Sequence, residues 1–168
     1  FQVAWILIVV GAMLLIYGFI GLYRYLSYRA ENLIAFLALV ISLMAGALFF
    51  SLATFFAVSG PAIADLVRSG DHGAIAVVEA NFRSPLGVSV LTLRSVTWII
   101  GPLLFAVAIW RDGRLPRWTG PVFALSFLLL IPVTFPTEFL GVVLFFVSAG
   151  RMAWKAWQHS AVGTGKEQ

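Results

Sequence analysis

The chain has 168 residues, of which 61% are hydrophobic and only 11% are charged, and its mean hydropathy is +1.00. Soluble domains are about half apolar and about a quarter charged, so this composition predicts a protein whose outer surface contacts lipid. The net charge of +4 does not indicate a nucleic-acid partner here, because the basic residues flank apolar blocks. The lack of cysteine excludes disulfides, cysteine-ligated metals and thiol catalysis.

Five apolar blocks are long enough to cross a bilayer, which takes roughly 20 residues at a rise of 1.5 Å per residue. In chain order they are residues 3–23, 33–58, 88–110, 119–135 and 138–157. The fourth block is short, and Pro132 and Pro136 separate it from the fifth, which predicts a tight helical hairpin. The sequence therefore predicts an all-α, polytopic transmembrane helical bundle of five spanning helices that forms a single domain.

The loop between the second and third blocks, residues 59–85, carries helix signals of its own. Ser59 can cap a helix that has Pro61 in its first turn and ends at Gly70. A second helix follows, with apolar residues recurring on one face up to Phe82. These patterns predict two short amphipathic helices that lie on the membrane surface or cap the bundle.

The basic residues near the ends of the spans all fall on one side of a five-span topology. They are Arg24, Arg29, Arg111, Arg114, Arg117, Arg151 and Lys155. Loops rich in Arg and Lys face the cytoplasm, so the turn "WRDGRLPRW" and the tail at 158–168 are predicted to be cytoplasmic. The N-terminus and the loop 59–85, which holds three acidic and two basic residues, are predicted to lie outside. A chain that begins outside is expected to follow an upstream span or a cleaved signal.

Two stretches carry a resemblance to a known family. "AIWRDGRLPRWTGPVFAL" and the segment "YRAENLIAFLALVISLMAGALF", which begins at Tyr28, resemble a group of uncharacterised six-span bacterial integral membrane proteins. The order of the spans and loops is also similar. The resemblance implies that this chain is the last five of six spans in a bacterial cytoplasmic (inner) membrane. It implies no activity and no catalytic residues.

Arg94 is the charged residue within the third apolar block, and two interpretations of it remain open. A charge inside the membrane is costly and commonly marks a functional site, here as an intramembrane ion pair with Glu138 at the start of the fifth block. The simpler interpretation places Arg94 close to the outer boundary, where its long side chain extends to the interface.

A stripe of small residues on the second span, Ala38, Ser42 and Gly46, has the spacing that permits two helices to approach closely in lipid. Its partner is either another helix of the same bundle or a helix of another subunit. Gly18 and Gly21 on the first span, and Thr97 and Gly101 on the third, can serve either purpose.

The sequence shows no pattern that is typical of a catalytic, metal-binding or cofactor-binding site. No span contains a histidine, so a haem or a His-ligated pigment has no ligand of that type, and no cofactor is evident. There is no nucleophile–base pair, glycine-rich phosphate loop or metal-ligand spacing. The sequence therefore predicts a non-catalytic accessory or structural subunit of a larger membrane complex, with lipids and other transmembrane subunits as partners. The alternative is a binder or transporter of an apolar small molecule such as a lipid, quinone or carotenoid.

Overall fold

The computed structural model describes residues 2–28, 32–71, 73–130 and 135–163, and these residues form helices with no strand. In chain order the helices are α1 (Gln2–Ser27), α2 (Leu33–Arg68), α3 (Gly73–Arg83), α4 (Pro85–Asp112), α5 (Thr119–Leu129) and α6 (Phe135–Gly163). Helices α1, α2, α4 and α6 are long and apolar enough to cross a membrane. The predicted all-α transmembrane helical bundle is therefore confirmed, although four helices rather than the predicted five are long enough to span among the described residues, because α5 has only 11 residues.

Helix α2 is longer than the sequence predicts. The amphipathic helix expected to begin at Ser59 is present, but as a continuation of α2 that passes through Pro61. A proline inside a helix removes one backbone hydrogen bond, and its ring crowds the carbonyl of the residue four positions earlier, here Ala57, yet α2 continues for seven residues beyond Pro61. At 36 residues α2 is about 54 Å long, so it extends well past a hydrocarbon layer of about 30 Å.

Helix α3 corresponds to the second predicted amphipathic helix and packs against both α2 and α4. Phe82 of α3 stacks on Phe56 of α2, with ring centroids 6.0 Å apart. Ser84 then caps α4, because its hydroxyl oxygen accepts a hydrogen bond of 3.0 Å from the backbone N–H of Gly87. Helix α3 therefore covers the end of the α2–α4 pair.

Helices α5 and α6 form the predicted hairpin, although α5 ends at Leu129 rather than at residue 135. Residues 131–134, which include Pro132, lie outside the described residues. Pro136 falls in the first turn of α6, where a missing N–H costs no helical hydrogen bond. The two helices are antiparallel, since Gly141 lies against Ser126 while Phe145, one turn later, contacts Phe123. Helix α6 continues to Gly163, into the predicted tail.

The helices other than α3 pack in the spatial order α1, α2, α4, α5, α6, and a glycine lies at each of the four contacts. The contacts are Gly46 against Ile16, Gly101 against Ser42, Gly120 against Ala106 and Gly141 against Ser126. A Cβ at Gly120 would lie 2.8 Å from the Ala106 carbonyl oxygen, which is too close for a carbon atom. The hydrophobic effect does not drive helices together in lipid, because lipid tails are as apolar as the side chains. Close packing at such small residues therefore stabilises the bundle.

Phenylalanines fill the space enclosed by these helices. Phe19 of α1 stacks on Phe105 of α4, with ring centroids 5.6 Å apart, and both side chains are almost fully buried. Phe123 and Phe127 of α5 extend the cluster to Phe145 of α6. Aromatic contacts of this kind add stabilisation beyond simple burial, so the cluster links helices that are not neighbours in the packing order.

Candidate functional site

One end of the bundle collects the basic residues, and we call it the basic end. It comprises the end of α1, the turn between α4 and α5, and the part of α6 around Met152, which packs in one cluster with Leu26 and Leu115. Arg24, Arg111, Arg117 and Arg151 are exposed at this end and Lys155 is half-buried, whereas Arg29 lies outside the described residues. The turn forms because Gly113, with φ 71°, ends α4 in the left-handed conformation.

Arg114 has a structural role that the sequence did not reveal. Its guanidinium donates hydrogen bonds to the carbonyl oxygens of Tyr25 and Leu26, at 2.9 and 3.1 Å, in the last turn of α1. It also forms an ion pair with Asp112 at 2.7 Å, and the two side chains are only 18% and 11% exposed. The hydrogen bonds that Arg114 donates to the Asp112 carboxylate, and the negative charge of that carboxylate, raise the pKa of Arg114, although burial opposes this. Arg114 therefore ties α1 to the α4–α5 turn.

At the opposite end, the described acidic residues of α2 and α3 have basic neighbours one helical turn away. Arg68 pairs with Asp65 at 3.4 Å, and Arg83 pairs with Glu79. All four side chains are largely exposed, so these pairs contribute little to stability. The described ion pairs at this end are local to single helices, and they build no site between helices.

Arg94 is half-buried and directed towards α2. Its Cζ lies 6.0 Å from the centroid of the Phe49 ring, at the limit of a cation–π contact. Its Nε is buried and has no hydrogen-bond acceptor among the described residues. The side chain of Glu138 lies outside the part of the chain that the structure describes, so the Arg94–Glu138 ion pair stays a prediction.

The stripe on α2 faces the inside of the bundle. Ala38 and Ser42 are 0% and 1% exposed, and Gly46 is also buried. Ser42 and Gly46 lie against Gly101 of α4 and Ile16 of α1, respectively. The structure therefore places this stripe at contacts within the chain, and the alternative of a face for another subunit does not apply to it.

Gly18 and Gly21 differ from the stripe, because they border an open groove between α1 and α6. We call this cavity of about 690 Å³ the α1–α6 groove. Its walls include Gly11, Gly18 and Gly21 of α1 and Phe146, Ala149 and Ala153 of α6. Helix α6 packs along α5 and makes no comparable contact with α1 in the described residues, which leaves the space between the two helices unfilled.

A second cavity of about 550 Å³, the α4–α5 groove, lies on another side of the bundle. Its walls include Leu103, Ala106 and Val107 of α4 and Pro121 and Leu125 of α5. Trp110 and Arg111, in the last turn of α4, line the end of this groove nearest the α4–α5 turn, which we call its mouth. The described lining residues of the first groove include no charged side chain. Neither groove was predicted from the sequence, because each depends on how far apart two helices pack.

The fold and surface define a helical membrane-protein bundle, since long apolar helices present large hydrophobic side chains on their outer faces. Among the described residues, no group of three or more His, Asp or Glu side chains is placed to hold a metal ion. Comparison of the chain with protein-family models, curated proteins and solved structures found no match. The resemblance to a six-span bacterial family therefore stays a prediction, and the two grooves carry the functional argument.

Proposed function

We propose that this protein is a non-catalytic accessory subunit of a larger membrane complex, and that its α1–α6 groove receives a transmembrane helix of a partner subunit. One observation carries the proposal. Wherever two long helices of this chain meet in the packing order, a glycine lies at the contact, whereas a Cβ at Gly11, Gly18 or Gly21 would have nothing within 4 Å. All three of these open glycines border the groove.

The physical reason lies in the lipid environment. Glycine inside a helix costs about 1 kcal/mol relative to alanine, and this cost is offset where the glycine admits a neighbouring backbone. At Gly101, Gly120 and Gly141 that neighbour is a backbone of the same chain, and at Gly46 it is the side chain of Ile16. Along α1 the neighbour is absent from the described residues, and the groove beside these glycines is almost wholly apolar, as a transmembrane helix requires.

A second candidate function rests on the volume of the same groove. About 690 Å³ is within the range of roughly 300–1,000 Å³ that is typical of small-molecule sites, and Phe123, Phe145 and Phe146 supply aromatic walls. A quinone, carotenoid or other apolar molecule is the alternative occupant. We favour the helix because an apolar ligand gains more contact area from bulky side chains than from three glycines.

Gly18→Leu is expected to abolish association with a partner subunit, because the leucine would occupy the groove where the partner helix approaches. Gly150→Leu is the matched control, since Gly150 is equally open but does not border the groove. The measurement is stoichiometric co-purification from the native membrane in mild detergent. The parent and Gly150→Leu should retain a membrane-protein partner, and Gly18→Leu should lose it while keeping its unfolding temperature.

Two results would contradict this proposal. A parent protein that is monodisperse and solitary, with an apolar molecule bound in equimolar amount, would favour the second candidate. Equal retention of the partner by Gly18→Leu and the parent would show that the partner docks elsewhere on the surface.

We also propose that the basic end faces the cytoplasm of a bacterial inner membrane, as expected for ends rich in arginine. Asp71→Cys is then expected to react with a membrane-impermeant maleimide from outside, and Arg117→Cys only after the membrane is opened. The chain has no cysteine, so each variant carries a single reactive thiol. Labelling of Asp71→Cys from the cytoplasmic side alone would reverse the topology.

A further inference from the structure

We propose that the α4–α5 groove binds one anionic phospholipid, with an acyl chain in the groove and the phosphate against Arg111. The walls of the groove, which include Leu103 of α4 and Leu125 of α5, are apolar. The groove becomes polar only at its mouth, where Trp110 and Arg111 lie. This division matches a lipid, whose tail is apolar and whose headgroup carries the charge. Trp110 is 53% exposed, as is usual for an indole at the depth of lipid headgroups.

Charge complementarity identifies the headgroup as anionic. Arg111 is exposed and makes no ion pair among the described residues, because the adjacent Asp112 is paired with Arg114. Asp112 is also the only described acidic side chain at the basic end. A phosphate at the groove mouth would therefore meet a free guanidinium and a net positive field, and basic sites of this kind between transmembrane helices favour anionic lipids.

The start of α5 adds a second attraction for an anion. This helix has no acidic residue in its first turn, and no side chain caps its N-terminus at Trp118. Pro121, in the same first turn, borders the groove. Pro121 has no backbone N–H, and the N–H of Thr119 donates to the Pro116 carbonyl oxygen, so the helix dipole alone supplies this attraction. It acts on a headgroup in the same direction as Arg111.

The same features argue against a helix as the occupant of this groove. A transmembrane helix laid over Arg111 would cover a charge that has no ionic partner among the described residues, which is costly in lipid. An anionic lipid supplies a negatively charged phosphate that can pair with Arg111. The two grooves therefore differ in chemistry, since the described walls of the α1–α6 groove include no cation.

Native mass spectrometry of the detergent-purified protein tests the proposal, with phosphatidylglycerol and phosphatidylcholine of identical acyl chains as probes. The parent is expected to retain one phosphatidylglycerol more strongly than phosphatidylcholine. Arg111→Gln should lower retention of phosphatidylglycerol about five-fold and remove the preference. Arg24→Gln is the matched control, because Arg24 is also exposed at the basic end but borders neither groove.

A pair of tryptophan variants tests the apolar part of the site. Val107→Trp fills the α4–α5 groove, whereas Val96→Trp adds the same ring to α4 at a side chain of similar exposure, 44% against 45%, away from the groove. Only Val107→Trp should lower lipid retention, by at least as much as Arg111→Gln. Thermal unfolding of each variant verifies that the bundle is intact.

Three outcomes would overturn the inference. Equal losses in Arg24→Gln and Arg111→Gln would mean that the positive field of the whole end, rather than this groove, holds the lipid. Equal retention of the two lipids by the parent would remove the role of charge, and an unaffected Val107→Trp would remove the role of the groove. None of these results bears on the partner helix at the α1–α6 groove, which lies between other helices.

Discussion

Arg114→Ala is expected to destabilise the folded protein by about 3 kcal/mol, because it leaves the carboxylate of Asp112 poorly solvated and unpaired. The substitution also removes both hydrogen bonds to the last turn of α1, at the carbonyl oxygens of Tyr25 and Leu26. Thermal unfolding in mild detergent measures the loss. Arg114→Lys should recover only part of it, since an ammonium cannot reproduce the planar fork of donors that reaches both partners.

Two further variants separate this ion pair from the general charge of the turn. Arg117→Ala, which removes an exposed arginine from the same turn, should change stability by less than about 0.5 kcal/mol. Combining Arg114→Ala with Asp112→Ala should cost much less than the sum of the single variants, because the two side chains share one interaction. Additive effects, or equal losses in Arg114→Ala and Arg117→Ala, would show that Arg114 does not hold α1.

Gly101→Ala is expected to destabilise the bundle by about 2 kcal/mol, although alanine is the better helix former. The new Cβ would overlap the Ser42 hydroxyl oxygen and lie 3.1 Å from the Ser42 Cα and backbone nitrogen. Because part of this obstacle is backbone, α2 and α4 would have to move apart. The unfolding temperature in detergent should fall accordingly.

The control for this prediction is Gly18→Ala, where the new Cβ would meet nothing within 4 Å and stability should hold or rise slightly. Adding Ser42→Gly to Gly101→Ala should restore part of the loss by removing the overlapping side chain. Ser42→Leu should be severe for the same steric reason. Gly46→Leu should be milder, because its neighbour is the flexible end of Ile16. A harmless Gly101→Ala would mean that α2 and α4 do not pack as described.

Local features of the sequence were sufficient for the class of protein and the position of most helices. Apolar blocks of about 20 residues predicted the long helices, because the thickness of the lipid layer sets the length of a spanning helix. The sequence also predicted that the basic residues cluster at one end, because successive spans alternate in direction and place every second loop on the same side. The stripe of Ala38, Ser42 and Gly46 was recognised as a packing face for the same local reason.

Local signals were wrong at one place and incomplete at another. Pro61 predicted a helix start, yet α2 continues through it, because a proline in the middle of a helix weakens the helix without always ending it. Arg114 was interpreted only as an orientation signal. Its carbonyl partners lie 88 and 89 residues away along the chain, a distance at which no sequence pattern operates.

Only the tertiary structure determined which small residues have another helix packed against them and which border an empty groove. Gly18 and Gly101 look alike in the sequence, as glycines inside apolar helices, but one borders an empty groove and the other meets Ser42. Likewise, Arg111 and Arg114 are three residues apart, yet one is free at a groove mouth and the other is paired. The composition of each helix determines that its outer face contacts lipid. The spacing and rotation of the helices determine which residues each side chain contacts. Spacing and rotation depend on all the packed helices together, and no single segment of sequence specifies them.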